Sequence, residues 1–149
     1  MTEHVGEARR WIAEAWRLAH IQSEYAASWS SSVAGLTAEQ AARSPGSGRH
    51  TIAQIVGHVC FWREHLVSRV RGGERLEPTV IDRLSWPEPG AADWGGLVER
   101  FDRTHAQVLE ALQDTGIDAT MLEGLLMHDC YHVGQIMYIR SLLGMKPIE

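Results

Sequence analysis

His128-Asp129-Cys130-Tyr131-His132-Val133-Gly134-Gln135-Ile136 interrupts an otherwise apolar run from Met121 to Leu143. At about 100° per residue, an α-helix sets His128 at 0°, His132 at roughly 40° and Gln135 at roughly −20°. Three polar side chains then share one narrow face, and two imidazoles one turn apart can grip a single metal ion. Met121, Leu125, Ile139, Leu142 and Leu143 fall within about 60° of His128, so the stripe carrying the histidines ought to face a core. A buried imidazole without a partner costs on the order of 1 to 3 kcal/mol, which a metal ion, a carboxylate or a trapped water would remove. The pair alone fits a structural role equally well, so a third ligand decides the matter.

Working outward, the rest of the chain reads as helices. Val5, Ala8, Ile12, Ala15, Trp16, Ala19 and Tyr25 predict a first helix from Val5 to about Trp29, broken by Ser28-Trp29-Ser30-Ser31-Ser32. Thr37-Ala38-Glu39-Gln40 carries a capping-box pattern for one or two turns through Ala42, which Ser44-Pro45-Gly46-Ser47-Gly48 ends. Thr51 caps the second long helix, whose stripe Ile52, Ile55, Val56, Val59, Trp62, Leu66 and Val70 runs until Gly72-Gly73. From Gly72 to Ala92, with Pro78, Pro87 and Pro89, the link is longer than adjacent antiparallel helices need, and a crossover is expected. Asp93 caps a third helix with Trp94, Leu97, Val98, Phe101, Thr104, His105, Val108, Leu109 and Leu112 on its inner side. After Asp114-Thr115-Gly116, the last helix starts near Thr120, spaced as a capping box to Glu123, and stops at Gly144 and Pro147. There is no internal repeat, low-complexity tract or strand alternation. The expected fold is all-α, a four-helix bundle with a long crossover between helices 2 and 3, residues 1–149 making one domain.

At 149 residues, 44% hydrophobic and 22% charged, the chain suits one core. Its net charge of −5 comes with no basic block, and Arg63, Arg69, Arg71 and Arg75 read as the solvated side and end of one helix, so no nucleic-acid partner is expected. The first residues lack the apolar segment of a signal peptide, and no run approaches the length that spans a bilayer. A soluble cytoplasmic protein with no membrane partner is the default. Two cysteines make no disulfide framework and no CxxC pair. Cys130 points about 160° away from either histidine, so it is an improbable co-ligand. Both cysteines read as small core residues.

His58 lies at the margin of the second helix's core face, about 40° beyond Trp62, and can lean into a cleft. His65 lies roughly 10 Å further along the axis and cannot share its ion. The candidate metal ligands are therefore His58, His128 and His132, leaving the remaining coordination positions to water or substrate. Without thiolates, the ligand type favours a divalent transition metal, zinc or nickel first, with iron and manganese admitted. Gln135 and Tyr131 are candidate catalytic residues, one to orient bound water or a ligand and the other to donate a hydrogen bond at the rim; a packing role serves either equally well. Asp129, about 100° off the histidine face and a methylene shorter than the glutamate of HExxH proteases, fits better as a residue that fixes an imidazole, bonds a neighbouring helix or meets solvent. Trp62, one turn after His58, is expected to line the cavity. His4, His20, His50, His65 and His105 read as loop, surface or helix-edge residues. A second seam, Leu122, Leu126, Cys130, Val133 and Met137, must meet either two neighbouring helices or a second copy, and a homodimer is slightly favoured.

The motif His128-Asp-x-Tyr-His132-x-Gly-Gln-Ile136, the upstream Thr51-Ile-x-x-Ile-x-x-His58 and the closing Leu142-Leu-Gly144 resemble the DinB/YfiT-like superfamily of bacterial metalloproteins. The resemblance implies a bundle with a long crossover between helices 2 and 3, frequent dimers, and a divalent metal held by His58, His128 and His132. It also implies enzymatic work on a small molecule. Relatives include metal-dependent thiol transferases that use bacillithiol or mycothiol, a maleylpyruvate isomerase among them, and others are classed as hydrolases. The short link between helices 3 and 4 departs from the family pattern. The leading expectation is a metal-dependent hydrolase or low-molecular-weight-thiol S-transferase. Its rivals are a non-enzymatic metal- or ligand-binding stress-response or interaction protein, and a metal-free bundle with hydrogen-bonded core histidines.

Overall fold

A computed structural model describes residues 2–22, 26–88 and 93–148. Tyr25, Pro89 and Ala92 lie outside the described residues, as do the side chains of His4 and Val5. The described residues form an all-helical chain: α1 (Thr2–Ile21), α2 (Trp29–Val33), α3 (Ala38–Ala42), α4 (Ile52–Val70), α5 (Pro78–Leu84), α6 (Trp94–Gln113) and α7 (Thr120–Leu142). The long helices α1, α4, α6 and α7 are the bundle, and the short ones sit in its links.

Capping sets most of the boundaries. Thr51 Oγ1 accepts from Gln54 N at 3.1 Å while the Gln54 side chain accepts from Thr51 N at 2.9 Å, and Thr37 with Gln40 repeats the arrangement at α3. The first helix is shorter than its periodicity predicts. It stops at Ile21, and Ser28 takes the Ser31 N–H at 3.2 Å to start α2. Trp29 is thereby turned inward, edge-on to Trp16 at 4.7 Å, so burial of the indole rather than continuity of the helix decides this stretch. Thr120 does not cap α7. It is the first helical residue, and Asp118 Oδ1 accepts both its N–H at 3.0 Å and its hydroxyl at 2.5 Å. Asp93 stands at the N-cap of α6 without a side-chain cap bond. Gly72 and Gly144, at φ +90° and +73°, end α4 and α7 in the left-handed conformation that only glycine takes without cost.

Side-chain pairs give the helix directions. Arg9 bonds the carbonyls of Ala111 and Leu112, Trp16 that of His105, and His20 meets Asp102, so α1 and α6 are antiparallel. Arg9 meets the Ile117 carbonyl just before α7 and Arg140 the Ser32 carbonyl in α2, so α7 runs with α1. Helix α4 packs antiparallel to α7, with His58 beside His132 and Arg63 on Asp129, and α4 and α6 therefore run parallel. A parallel pair needs a link that returns the length of the bundle, about 28 Å for the 19 residues of α4 at 1.5 Å each. The Pro-rich stretch after Gly72 supplies that link, and it is not structureless: Pro78, at a position where a helix does not need its N–H, opens α5.

Ile52, Phe101, Leu112, Leu122 and Ile136 are fully buried together with Trp16. The second seam of α7 is consumed inside the chain: Leu122 and Val133 are buried, and Leu126 and Met137 pack against the core. Cys60 is buried as expected, but Cys130 is exposed, because the helix turns it past the seam toward solvent. Met121 and Leu142, at the ends of the histidine stripe, are also exposed. Arg63 is not on a solvated face; its side chain is 0% exposed. No helix among the described residues is long and apolar enough to cross a membrane.

Candidate metal centre

Antiparallel packing of α4 against α7 brings His58 beside His128 and His132, with ring centroids 5.4 and 4.8 Å away. One nitrogen of each of the three imidazoles can be chosen so that all lie within 4.8 Å of one another. His58 and His132 are buried, whereas the His128 side chain keeps 27% of its surface open.

The hydrogen bonds fix which nitrogens face inward. His58 Nδ1 is 2.6 Å from the Ser85 carbonyl, which can only accept, so the proton is on Nδ1. His128 Nδ1–H donates to Asp129 Oδ1 at 2.8 Å, and His132 Nδ1–H to Gln135 Oε1 at 2.7 Å. Every Nδ1 in the cluster is thus a donor to protein oxygen, and in the neutral ring the Nε2 carries the lone pair. Two of these Nε2 atoms, on His58 and His128, face each other at 3.4 Å. Opposed lone pairs at that distance repel unless a cation or a proton lies between them. Two nitrogens on one tetrahedral zinc, at about 2.05 Å each, lie about 3.3 Å apart, so the residues present fit the ion that the fold family implies.

Burial is the main cause of the low imidazole pKa values. It pushes His58 down to about 4, against the pull of the Ser85 hydrogen bond, and the neighbouring histidines lower it further. His132 is likewise lowered by burial, which outweighs its bond to Gln135. Neutral imidazole is the form that ligates metal, and burial keeps these two in it near pH 7.

Each imidazole is held from behind. Asp129, 0% exposed, gives its other oxygen to Arg63 Nε at 2.6 Å, and Arg63 bonds the Phe101 carbonyl at 2.8 Å beneath the rings of Trp16, Trp29 and Phe101. Asp129 therefore fixes an imidazole and bonds a neighbouring helix, two of the roles open to it on sequence grounds. Gln135 also receives support, its amide donating to Tyr131 Oη at 3.0 Å, so these two residues form a chain behind His132. Trp62 lies edge-on to His58 and His128, at 6.3 and 6.4 Å between centroids.

Other parts of the site lie outside what periodicity shows. Trp86 stacks on His58 at 3.8 Å, and His50 stacks on the same indole at 3.7 Å, so His50 is not an idle loop residue. The approach of this segment depends on Gly57, where a Cβ would stand 2.5 Å from Pro87 Cγ. A glycine one residue before His58 was the available signal. His20 and His105 are buried rather than at the surface, stacked on each other with ring centroids 3.9 Å apart, and take no part in the cluster of His58, His128 and His132. His65 stacks on Phe61, apart from the cluster.

A family model of the DinB superfamily matches residues 24–136. The chain belongs to the DinB superfamily. The match takes in all three clustered histidines and the strap that carries Ser85 and Trp86, and leaves out the whole of α1 and the end of α7. No curated protein and no solved structure matches the chain. Membership and the three-histidine cluster together fit a metal-binding protein.

Proposed function

We propose that this chain is a divalent-metal-dependent enzyme acting on a small molecule, a hydrolase or a low-molecular-weight-thiol S-transferase, with His58, His128 and His132 as the metal ligands. The observation that carries the reading is the set of three Nδ1–H groups tied to protein oxygens, which leaves three Nε2 lone pairs for one ion. The ligand set favours zinc or nickel, then iron or manganese. A divalent ion with an open position supplies either a water of lowered pKa or a bound thiolate. The chain's own part is to hold the imidazoles in one tautomer, keep His58 and His132 neutral and leave a way in. Among the described residues no fourth His, Cys, Asp or Glu joins the cluster, and the part-exposed side of His128 is that way in. Both features favour turnover over storage of the metal.

Elemental analysis of the purified protein should find about one transition metal per chain, and little in His132→Ala; equal metal in both undoes the ligand assignment. The metal-loaded protein is then offered low-molecular-weight thiols with an electrophile, and separately simple esters. Thiol consumption without ester cleavage assigns transfer, ester cleavage assigns hydrolysis, and neither from a metal-loaded protein refutes the enzymatic reading. The proposal extends to a homodimer, which the family resemblance implies. Met121 and Met127, 47% and 79% exposed on α7, offer apolar surface to a second copy. A monomer by light scattering at micromolar concentration removes this part.

A further inference from the structure

A cleft of about 930 Å³ opens between the loop of residues 45–50 and the C-terminal half of α7. That volume is in the range of small-molecule sites. It adjoins the histidine cluster through two residues of its lining. Gln135, in the cleft wall, holds His132, and His50, in the opposite wall, stacks on the indole that covers His58. Tyr131, Tyr138 and Leu142 give the cleft a largely aromatic and apolar floor, and they are 64%, 66% and 54% exposed.

The charge in this cleft is one-sided. Arg49 lines it, no carboxylate does, and Arg49 makes no ion pair among the described residues. The loop that presents it is held: Ser44 Oγ bonds both the N–H and the carbonyl of Gly46, the Gly46 carbonyl also accepts from Arg49 N at 3.2 Å, and Gly48 sits at φ +68°. A single guanidinium matches one carboxylate through two parallel hydrogen bonds.

We infer that the cleft binds an organic acid, its carboxylate on Arg49 and its apolar body across Tyr131 and Tyr138, with the other end directed toward Gln135 and the histidine cluster. This rests on the proposed function for its meaning as a substrate subsite. The binding itself does not require the metal, so it is tested without one.

The experiment is calorimetric titration of the metal-free protein with 4-phenylbutyrate and with the neutral 4-phenylbutan-1-ol, which share the apolar body. An exposed ion pair contributes up to about 1 kcal/mol, so the acid should bind about fivefold tighter than the alcohol, and Arg49→Gln should bring the acid to the level of the alcohol. Arg49→Lys, which keeps the charge and loses the fork, should retain part of the preference. Arg49 is exposed, and its substitution leaves the core intact. Equal binding of acid and alcohol, a preference that survives Arg49→Gln, or no binding of either overturns the inference. Zinc titration of Arg49→Gln separates this failure from failure of the metal reading, since normal zinc uptake there leaves the histidine site standing.

Discussion

Asp129→Ala is the perturbation that the interior is least able to absorb. The carboxylate and the Arg63 guanidinium are both 0% exposed, and Arg63 Nη2 already has no partner. Removing Asp129 strands a full positive charge among Trp16, Trp29 and Phe101, with only the Phe101 carbonyl and the Thr104 hydroxyl as acceptors. Breaking one side of a buried pair costs about 3 to 5 kcal/mol, a large share of the 5 to 15 kcal/mol that holds a typical domain. Replacing both partners by apolar residues, Arg63→Met with Asp129→Leu, removes the charge and its desolvation together, and should return to within about 2 kcal/mol of the parent. The assay is urea unfolding of the metal-free proteins. A second readout divides stability from support of the metal ligand: both variants leave His128 Nδ1 without its carboxylate, so zinc affinity should fall about 10- to 100-fold in each, including the one that regains stability. Asp129→Ala within about 1 kcal/mol of the parent, or a double variant as unstable as the sum of its singles, would show that the pair is not the buried unit described.

Three further outcomes are expected. His105 is buried, and burial first, then His20 and Arg63, pushes it down to about 3. In the unfolded chain it titrates near 6.5, so between those values only the unfolded state takes the proton. Stability is complete above about pH 6.5 and falls with pH by up to about 1.4 kcal/mol per unit for this one group. His105→Phe should flatten the acid limb of the metal-free protein's urea midpoint against pH, and an unchanged slope contradicts it. Gly57→Ala puts a methyl into Pro87, lifting the strap that carries Ser85 and Trp86 from His58; zinc should bind about tenfold more weakly at unchanged helicity, and equal affinity would show that the strap gives way freely. Thr51→Ala removes the acceptor for Gln54 N–H at the head of α4 and should cost about 1 kcal/mol in the same urea assay, whereas no loss would mean that solvent caps the helix as well.

The residues on which these predictions turn were unequally legible. His128 and His132 declare themselves because spacing along one helix is a geometric fact of the sequence, and His58 follows because it borders a clear apolar stripe. Ser85 and Trp86 could not be read in that way. They lie in a Pro-bounded link with no period, and what places them is a close approach that only Gly57 permits. The link itself was expected to be long, and α4 and α6, running parallel, require it to be.

Arg63 is the instructive error, and Asp129 the partner that explains it, since the positions of both pointed inward while their charges pointed out. Arg63 stands four residues after Val59 and seven after Val56, both buried, and about 40° and −20° from them on the helix. Asp129 stands four after Leu125, seven after Leu122 and seven before Ile136, all buried. Each charge alone looks like a solvated residue intruding on a stripe, because an isolated ion in a core is prohibitively costly. Opposite charges on the core faces of two helices remove that objection for one another. One of them adjoins a metal-spaced histidine whose Nδ1 must be held, so the pair has a use that apolar packing could not supply. The buried ion pair is thus the extension of the histidine cluster into the core, and α4 and α7 are the helices that both features join.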